Sequence, residues 1–184
     1  MRNFTFRKLK STDLPLVRRW LDAPHVKAWW PDAERHVAMM LDDLNSPGVD
    51  MNIVSLIDHP FAFVVDYNAN AYGQPQYADL PPGARAMDSF VGDSAFMGQG
   101  HASGYLSARV RDLRMKHSMI AVAPNTKDIH AINIYNQAGF KKRRLATARD
   151  GSLVQVDPPL KFRAQNPNKS ETHESLSRHP YDAH

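Results

Sequence analysis

The sequence predicts a mixed α/β fold, α+β by class, with about seven strands flanked by about four helices. Three observations carry that expectation. Apolar residues switch along the chain between a period of two and a period near 3.6, with turn-forming residues at the switches. A short apolar strand from Ala86 to Gly92, a glycine-rich loop, a helix and a second apolar strand from Met119 to Val122 follow one another. Such a β-α-β unit pairs its strands in parallel. The chain has 184 residues, 42% hydrophobic and 23% charged, enough for one domain with a sizeable core.

Phe4 and Phe6 alternate with polar neighbours, so residues 4–9 read as the first strand. Ser11, Thr12 and Asp13 supply cap chemistry, and Leu14, Val17 and Leu21 recur at helical spacing as far as Asp22. Pro15 falls in the first turn, where a helix tolerates it. Pro24 to Pro31 break the helix. The adjacent Trp29 and Trp30 in this proline-flanked loop either plug a gap against the core or form a flat substrate wall, since indole faces stack on sugar rings and attract cations. Val37, Met40, Leu41 and Leu44 describe a second amphipathic helix from Asp32, ended by Asn45 to Gly48. Its acids Asp32, Glu34, Asp42 and Asp43 read as a solvated face.

Met51 to Ile57 and Phe61 to Tyr67 read as consecutive strands joined by a tight turn at Asp58, His59 and Pro60. The stretch from Asn68 to Arg85 is long for a loop without regular structure, and reads either as a lid on the substrate side or as an insertion. In the third helix Ala102, Leu106, Val110 and Leu113 share a face. After Pro124 to Asp128 a fourth helix carries Ala131, Tyr135 and Ala138 on one side and stops at Gly139, where a left-handed residue is needed. Lys141 to Ala148 and Leu153 to Phe162 read as a strand pair across an Asp150-Gly151 turn. Residues 1–163 therefore form the domain, and the polar stretch 164–184 reads as a tail.

The totals exclude several classes. The longest apolar run, near Phe61 to Val65, is too short to cross a bilayer, and the N-terminus lacks the apolar core of a secretory signal. A cytoplasmic protein without a membrane partner is the expectation. Zero cysteines remove disulfides, thiol nucleophiles and thiolate metal sites, and His173, His179 and His184 match no metal spacing. No metal is expected. The net charge is +4, yet the basic residues are scattered apart from Lys141 to Arg144, with no aromatic-interleaved motif. A polyanionic small molecule suits this balance as well as nucleic acid does, and no nucleic-acid partner is expected. Nothing in the sequence indicates an oligomeric state.

The chemistry centres on Met97-Gly98-Gln99-Gly100-His101-Ala102. Glycines there let the backbone bend tightly, and the following helix adds free N–H groups and a positive dipole end, so the loop is built for an anion such as a phosphate. Ser103 stands where a dinucleotide fingerprint needs its third glycine, and no Gly-Lys-Ser/Thr is present. The loop instead resembles the Arg/Gln-x-x-Gly-x-Gly/Ala pattern of the GNAT superfamily of acyl-CoA N-acyltransferases, with Met97 in place of the usual Arg or Gln. Ala131 to Phe140 resembles the family's closing Ala-x-x-x-Tyr-x-x-x-Gly-Phe segment. The resemblance implies the GNAT fold, a central twisted mixed sheet flanked by helices, over residues 4–162.

Within the superfamily the chain resembles the aminoglycoside 6'-N-acetyltransferase branch, through Asp13, Leu14, Trp20, Leu21, His25, Trp29 and Trp30 near the start and Arg85 to Asp88 before the loop. Siderophore-type acyltransferases are the neighbouring branch and tend to place His where this chain has Asp88. The resemblance implies acetyl-CoA as co-substrate and a small-molecule primary amine as acceptor. It places the pyrophosphate on Met97, Gly98, Gln99, Gly100, His101 and Ala102, and the pantetheine arm on Phe90 and Val91. Asn125, Asp128 and Tyr135 are further cofactor-side candidates, with Asp128 equally suited to capping its helix. Trp29, Trp30 and Asp88 are acceptor-side candidates.

An amine attacks only when unprotonated, and a lysine-like amine has a pKa of about 10.4 against about 3.9 for a free aspartate. Asp88 is the candidate base if burial raises it, and otherwise an anchor for the cationic amine or a strand-end aspartate bonding backbone. Tyr135 is the candidate acid for the leaving thiolate, a phenol of about 10 facing a thiol of about 8.5. Direct transfer needs no covalent intermediate. The alternatives are a hydroxylysine acyltransferase of the siderophore type and a CoA-binding module without catalysis.

Overall fold

A computed structural model describes residues 3–141 and 144–156. Lys142 and Arg143, the expected end of the last strand beyond Val156, the boundary at residue 163, and the tail with its histidines lie outside the described residues. Five strands form one sheet: β1 (Phe4–Lys8), β2 (Val49–Leu56), β3 (His59–Asn68), β4 (Arg85–Val91) and β5 (Ile120–Ala121), in that order. The first three pairings are antiparallel and β4 pairs β5 in parallel, as the β-α-β unit requires. Strands β6 (Arg144–Thr147) and β7 (Leu153–Val156) form a separate hairpin, touching the rest of the strand network through an Asn125–Val154 bridge.

Helices cover both faces. On one lie α1 (Leu14–Asp22), α2 (Pro24–Lys27) and α3 (Ala33–Asp43), whose Val17, Leu21, Val26 and Met40 pack on Ile53, Phe63 and Phe90. On the other lie α4 (His101–Arg114) and α5 (Ile129–Gln137), whose Leu106, Val110 and Tyr135 pack on Val54, Val64 and Met87. Alternation along β2 and β3 sends Ile53 and Phe63 one way and Val54 and Val64 the other, which is why one sheet feeds two cores. A bulge opposite Val54 and Ser55 leaves Phe61 without a register partner and turns it to the same side as Ala62.

Local chemistry sets the boundaries. The Asp32 side chain accepts from the Arg35 amide to start α3, Gly100 starts α4 at φ 71°, and Gly139 ends α5 at φ 96°. The β2–β3 turn differs from expectation: Ile57 and Asp58 both take left-handed φ, 48° and 62°, while His59 and Pro60 already pair with Leu56 and Ser55. Two left-handed residues make the turn whose twist matches the flanking strands. The stretch from Asn68 to Arg85 is also better ordered than expected. It contains a 3-10 turn at Pro75–Tyr77 and buries Tyr77 and Leu80 with Tyr67, Ala86 and Val156 in a third core cluster.

Candidate active site

β4 positions the site. Its pairing with β5 covers only Arg85–Ile120 and Ala86–Ala121, after which the two strands part. The Arg85 amide faces β5, donating to Met119 O, while the Gly92 amide donates to Phe61 O on the β3 side. Alternation between those fixed points turns the backbone groups of Ser89 and Val91 into the opening. Val91 O there accepts from, or faces, His25 Nε2 at 2.9 Å. At the closed end Arg85 is structural: its guanidinium meets Asp66 Oδ1 at 2.5 Å and Gly48 O at 2.6 Å, and Arg109 of α4 holds Asp66 Oδ2 from the other side at 2.5 Å. With both carboxylate oxygens of the fully buried Asp66 taken up by guanidinium groups, the strand end is fixed.

Two cavities open around the parted strands, of about 580 and 800 Å³. Trp29, Trp30, Ser89, Asp128 and Ala131 line both, so the two are neighbouring chambers of one cleft. The larger contains Phe90, Val91, Met97, Gly98, Gly100, His101 and Ala102, which brings together the expected pantetheine and pyrophosphate residues at the start of α4. Gly98 and Gly100 both have φ 71°, and a Cβ at Gly98 would meet nothing within 4 Å, so its glycine serves backbone shape and not close packing. The Gln99 side chain is turned back onto Ala95 O at 2.5 Å and is absent from either lining. The His101 ring is buried against Phe4, Phe61 and Phe96.

The smaller chamber contains Asp88 and Tyr135 together. Asp88 shares a sheet face with Phe90 and Tyr135 rises from α5 on the opposite layer; the opening between β4 and β5 lets them reach one cavity. Burial pushes the Asp88 carboxyl above the usual aspartate range, and a hydrogen bond from Tyr67 pulls the other way. The Tyr67 hydroxyl lies 3.0 Å from Asp88 Oδ2 and 3.1 Å from Gln74 Oε1. Asn125 and Asp128 line this chamber too, though each oxygen engaged so far serves local backbone: Asn125 Oδ1 accepts from the Lys127 amide and Asp128 Oδ1 caps α5 at the Ala131 amide.

Both tryptophans line both chambers, with different packing. Trp30 packs edge-on to Phe90 at 5.1 Å and against His36 at the same distance, filling space between α3 and β4. Trp29 is 44% exposed and presents its ring to both chambers. Asp43, taken from sequence as solvated, lines the smaller chamber, where Tyr72 Oη donates to it at 3.4 Å. Tyr67 and Gln74 were not singled out by sequence reasoning. Their link to Asp88 depends on the β3–β4 register, which pairs Val65 with Asp88 and Tyr67 with Ala86.

A glycine loop at a helix start, opening into a chamber that adjoins a second one holding a raised carboxyl and a phenol, defines a group transferase for an anionic donor and a separate acceptor. The chain belongs to the GNAT acetyltransferase domain family, whose pattern it matches over residues 10–148, and its activity class is that of an acetyl-CoA-dependent N-acetyltransferase. It is 24% identical over 160 residues to aminoglycoside N(6')-acetyltransferase type 1 of Klebsiella pneumoniae, an alignment spanning 82% of this chain and 80% of that protein. The Serratia marcescens protein of the same name gives the same figures. Among solved structures, the aminoglycoside acetyltransferase AAC(6')-Ib in complex with coenzyme A superposes with a TM-score of 0.76 at 24% identity, covering 85% of this chain and 95% of that one. The aminoglycoside N(6')-acetyltransferase of Legionella pneumophila gives 0.71 at 20% identity, covering 86% and 92%. At these identities the superpositions establish the shared fold.

Proposed function

We propose that the acceptor is a primary amine on a small polycationic molecule of the aminoglycoside kind, that Asp88 takes its proton, and that Tyr135 supplies one to the leaving thiolate. The observation that carries this reading is the meeting of Asp88 and Tyr135 in one chamber beside the glycine loop. The names of the sequence relatives support the acceptor class. So does the lining: Asp43, Asp88, Asp128 and Asp150 all face the acceptor-side chamber of a chain with net charge +4.

The residues present suit coenzyme A. Backbone amides from Met97 to Ala102, at the start of a 14-residue helix, hold the pyrophosphate, and Phe90, Val91 and the main-chain groups of Ser89 and Val91 line the pantetheine arm. The thioester supplies an acyl group already activated for transfer. The protein therefore has to orient the two partners and manage two protons. Asp88 first pairs with the ammonium and then accepts its proton at a carboxylate oxygen; a raised carboxyl pKa narrows a gap of about six units between free aspartate and free amine. Tyr135 gives its Oη proton to sulfur, a transfer that is uphill by about 1.5 pK units for unperturbed groups, and the tyrosinate then regains a proton from solvent. Trp29 walls the acceptor, and Asp43 and Asp150 receive its other cationic groups.

Release of free thiol from acetyl-CoA, measured across kanamycin, spermidine, lysine and hydroxylysine, tests the reading. Turnover is expected with kanamycin. Asp88→Asn is expected to lower kcat/KM by at least about 100-fold with the acetyl-CoA KM changed by less than about threefold. Tyr135→Phe is expected to lower kcat with a similarly small change in that KM. Unaltered turnover in Asp88→Asn removes the aspartate from the mechanism, and preference for hydroxylysine moves the acceptor to the siderophore class.

A further inference from the structure

We propose that Tyr67 is the positioning residue for Asp88: its hydroxyl donates to Oδ2 and leaves Oδ1 to the acceptor amine, while its ring packs with Tyr72 and Tyr77 of the segment between β3 and β4. This rests on the reading of Asp88 as the proton acceptor. Tyr67 and Asp88 occupy the same sheet face as diagonal neighbours across the β3–β4 pair, a spacing that long side chains bridge. The phenol carries one proton and has two acceptors in reach, Asp88 Oδ2 at 3.0 Å and Gln74 Oε1 at 3.1 Å. Gln74 Oε1 also receives Gln76 Nε2 at 3.3 Å, and a carboxylate is the stronger acceptor, so the phenolic proton goes to Asp88. Tyr77, 1% exposed, packs with Tyr67 in the third core cluster.

The arrangement gives Tyr67 a defined effect. Burial, and then the adjacent Asp88 charge, keep the Tyr67 phenol well above its ordinary range, so it stays a donor throughout neutral and mildly alkaline pH. A donor on the carboxylate favours its charged form and opposes the upward push of burial. Tyr67 thereby counters part of the rise that burial imposes on Asp88. The other ionisable groups of the chamber are Tyr135 of α5, His36 and Asp43 of α3, Asp128 at the head of α5, and Arg149 and Asp150 of the hairpin. Among the described residues Tyr67 makes a side-chain hydrogen bond to Asp88. The segment supporting Tyr67 is tied down independently, with Arg149 Nη2 donating to Tyr72 O at 2.7 Å and Arg144 Nη2 to Gln76 O at 2.7 Å. Through Tyr72 and Tyr77 the segment sets where the Tyr67 ring, and so its hydroxyl, lies.

Carbon-13 NMR titration of the aspartate side-chain carboxyls, with the Asp88 signal assigned by its loss in Asp88→Asn, reads the effect without any ligand. Tyr67→Phe keeps the ring and removes the oxygen; its Asp88 midpoint is expected to rise by at least about half a pH unit. The acid limb of kcat/KM with the fastest amine of the panel is expected to move up by the same amount, with the acetyl-CoA KM changed less than twofold. Incorporation of 3-fluorotyrosine at position 67, which strengthens the donor and preserves the shape, is expected to move the midpoint down, and it decides the matter should Tyr67→Phe not fold. An Asp88 midpoint unmoved in a folded variant overturns the proposal. A midpoint that moves in a protein acetylating no amine upholds control of Asp88 by Tyr67 and defeats the acceptor reading instead.

Discussion

At the scale of single residues, the site places a carboxyl where folding would sooner have a neutral group. Because the folded pKa of Asp88 is raised, its contribution to stability is complete below the unfolded value near 3.9 and is lost as pH rises through the folded value. At pH 7 its charge is a net cost. Asp88→Asn is therefore expected to match or exceed the parent in Tm at pH 7, with the difference closing towards pH 4. Differential scanning calorimetry at the two pH values checks this. Asp88 and Tyr135 were singled out from sequence by their offsets from two motifs, the glycine loop for one and Gly139-Phe140 for the other, and both line the smaller chamber. Tyr67 was not, because nothing along the chain states that it lies across a strand pair from Asp88. The Asp128 carboxylate carried two readings, and the cap to the Ala131 amide is the one the coordinates display.

At the scale of elements, legibility followed the strength of local chemistry. Helices α1, α3, α4 and α5 fall where apolar spacing, caps and stop residues agree, and β4, β5 and the loop between β4 and α4 fall where the β-α-β pattern puts them. The β2–β3 turn was displaced because Ile57, a β-branched residue, gives no sign that it will adopt φ 48°. The short α2 was hidden because four residues are too few to show a period. The junction leaving β4 is the least forgiving. A Cβ at Gly92 would overlap the Trp20 indole, which lines up edge-on to Phe90 at 6.5 Å. Gly92→Ala is expected to destabilise the protein by about 1–3 kcal/mol, the usual cost of overpacking, in equilibrium urea unfolding. Leu56→Ile, away from this contact, serves as the control.

At the scale of the molecule, the sheet is closed by charge at one end and open at the other. Asp50 belongs to the closed end: burial pushes its carboxyl up, but hydrogen bonds from Lys8 at 2.5 Å and from Arg109 hold it at about 2. A lowered carboxyl contributes stability that is present above the unfolded value and lost as pH falls towards the folded one, so acid weakens the protein between about pH 4 and pH 2 through this group. Asp50→Asn is expected to lose on the order of 1–2 kcal/mol at pH 7 and to show a flatter stability profile across that window, read by urea midpoints at a series of pH values. The basic composition gave no hint of this network, since Asp50, Asp66, Arg85 and Arg109 converge only through the register of three strands and one helix.

The parting of β4 and β5 has a consequence for how the protein changes when its donor binds. Ser89 and Val91 direct main-chain groups into a space where a neighbouring strand would ordinarily supply partners, so on the proposed reading an extended ligand arm would complete the sheet for as long as it stays. Amide deuterium uptake at those two positions is expected to slow by at least about tenfold on addition of coenzyme A, whereas Phe90, whose backbone already faces β3, keeps its rate. The donor would then act as a removable rib of the architecture, and departure of the spent carrier would leave those main-chain groups open again beside Asp88.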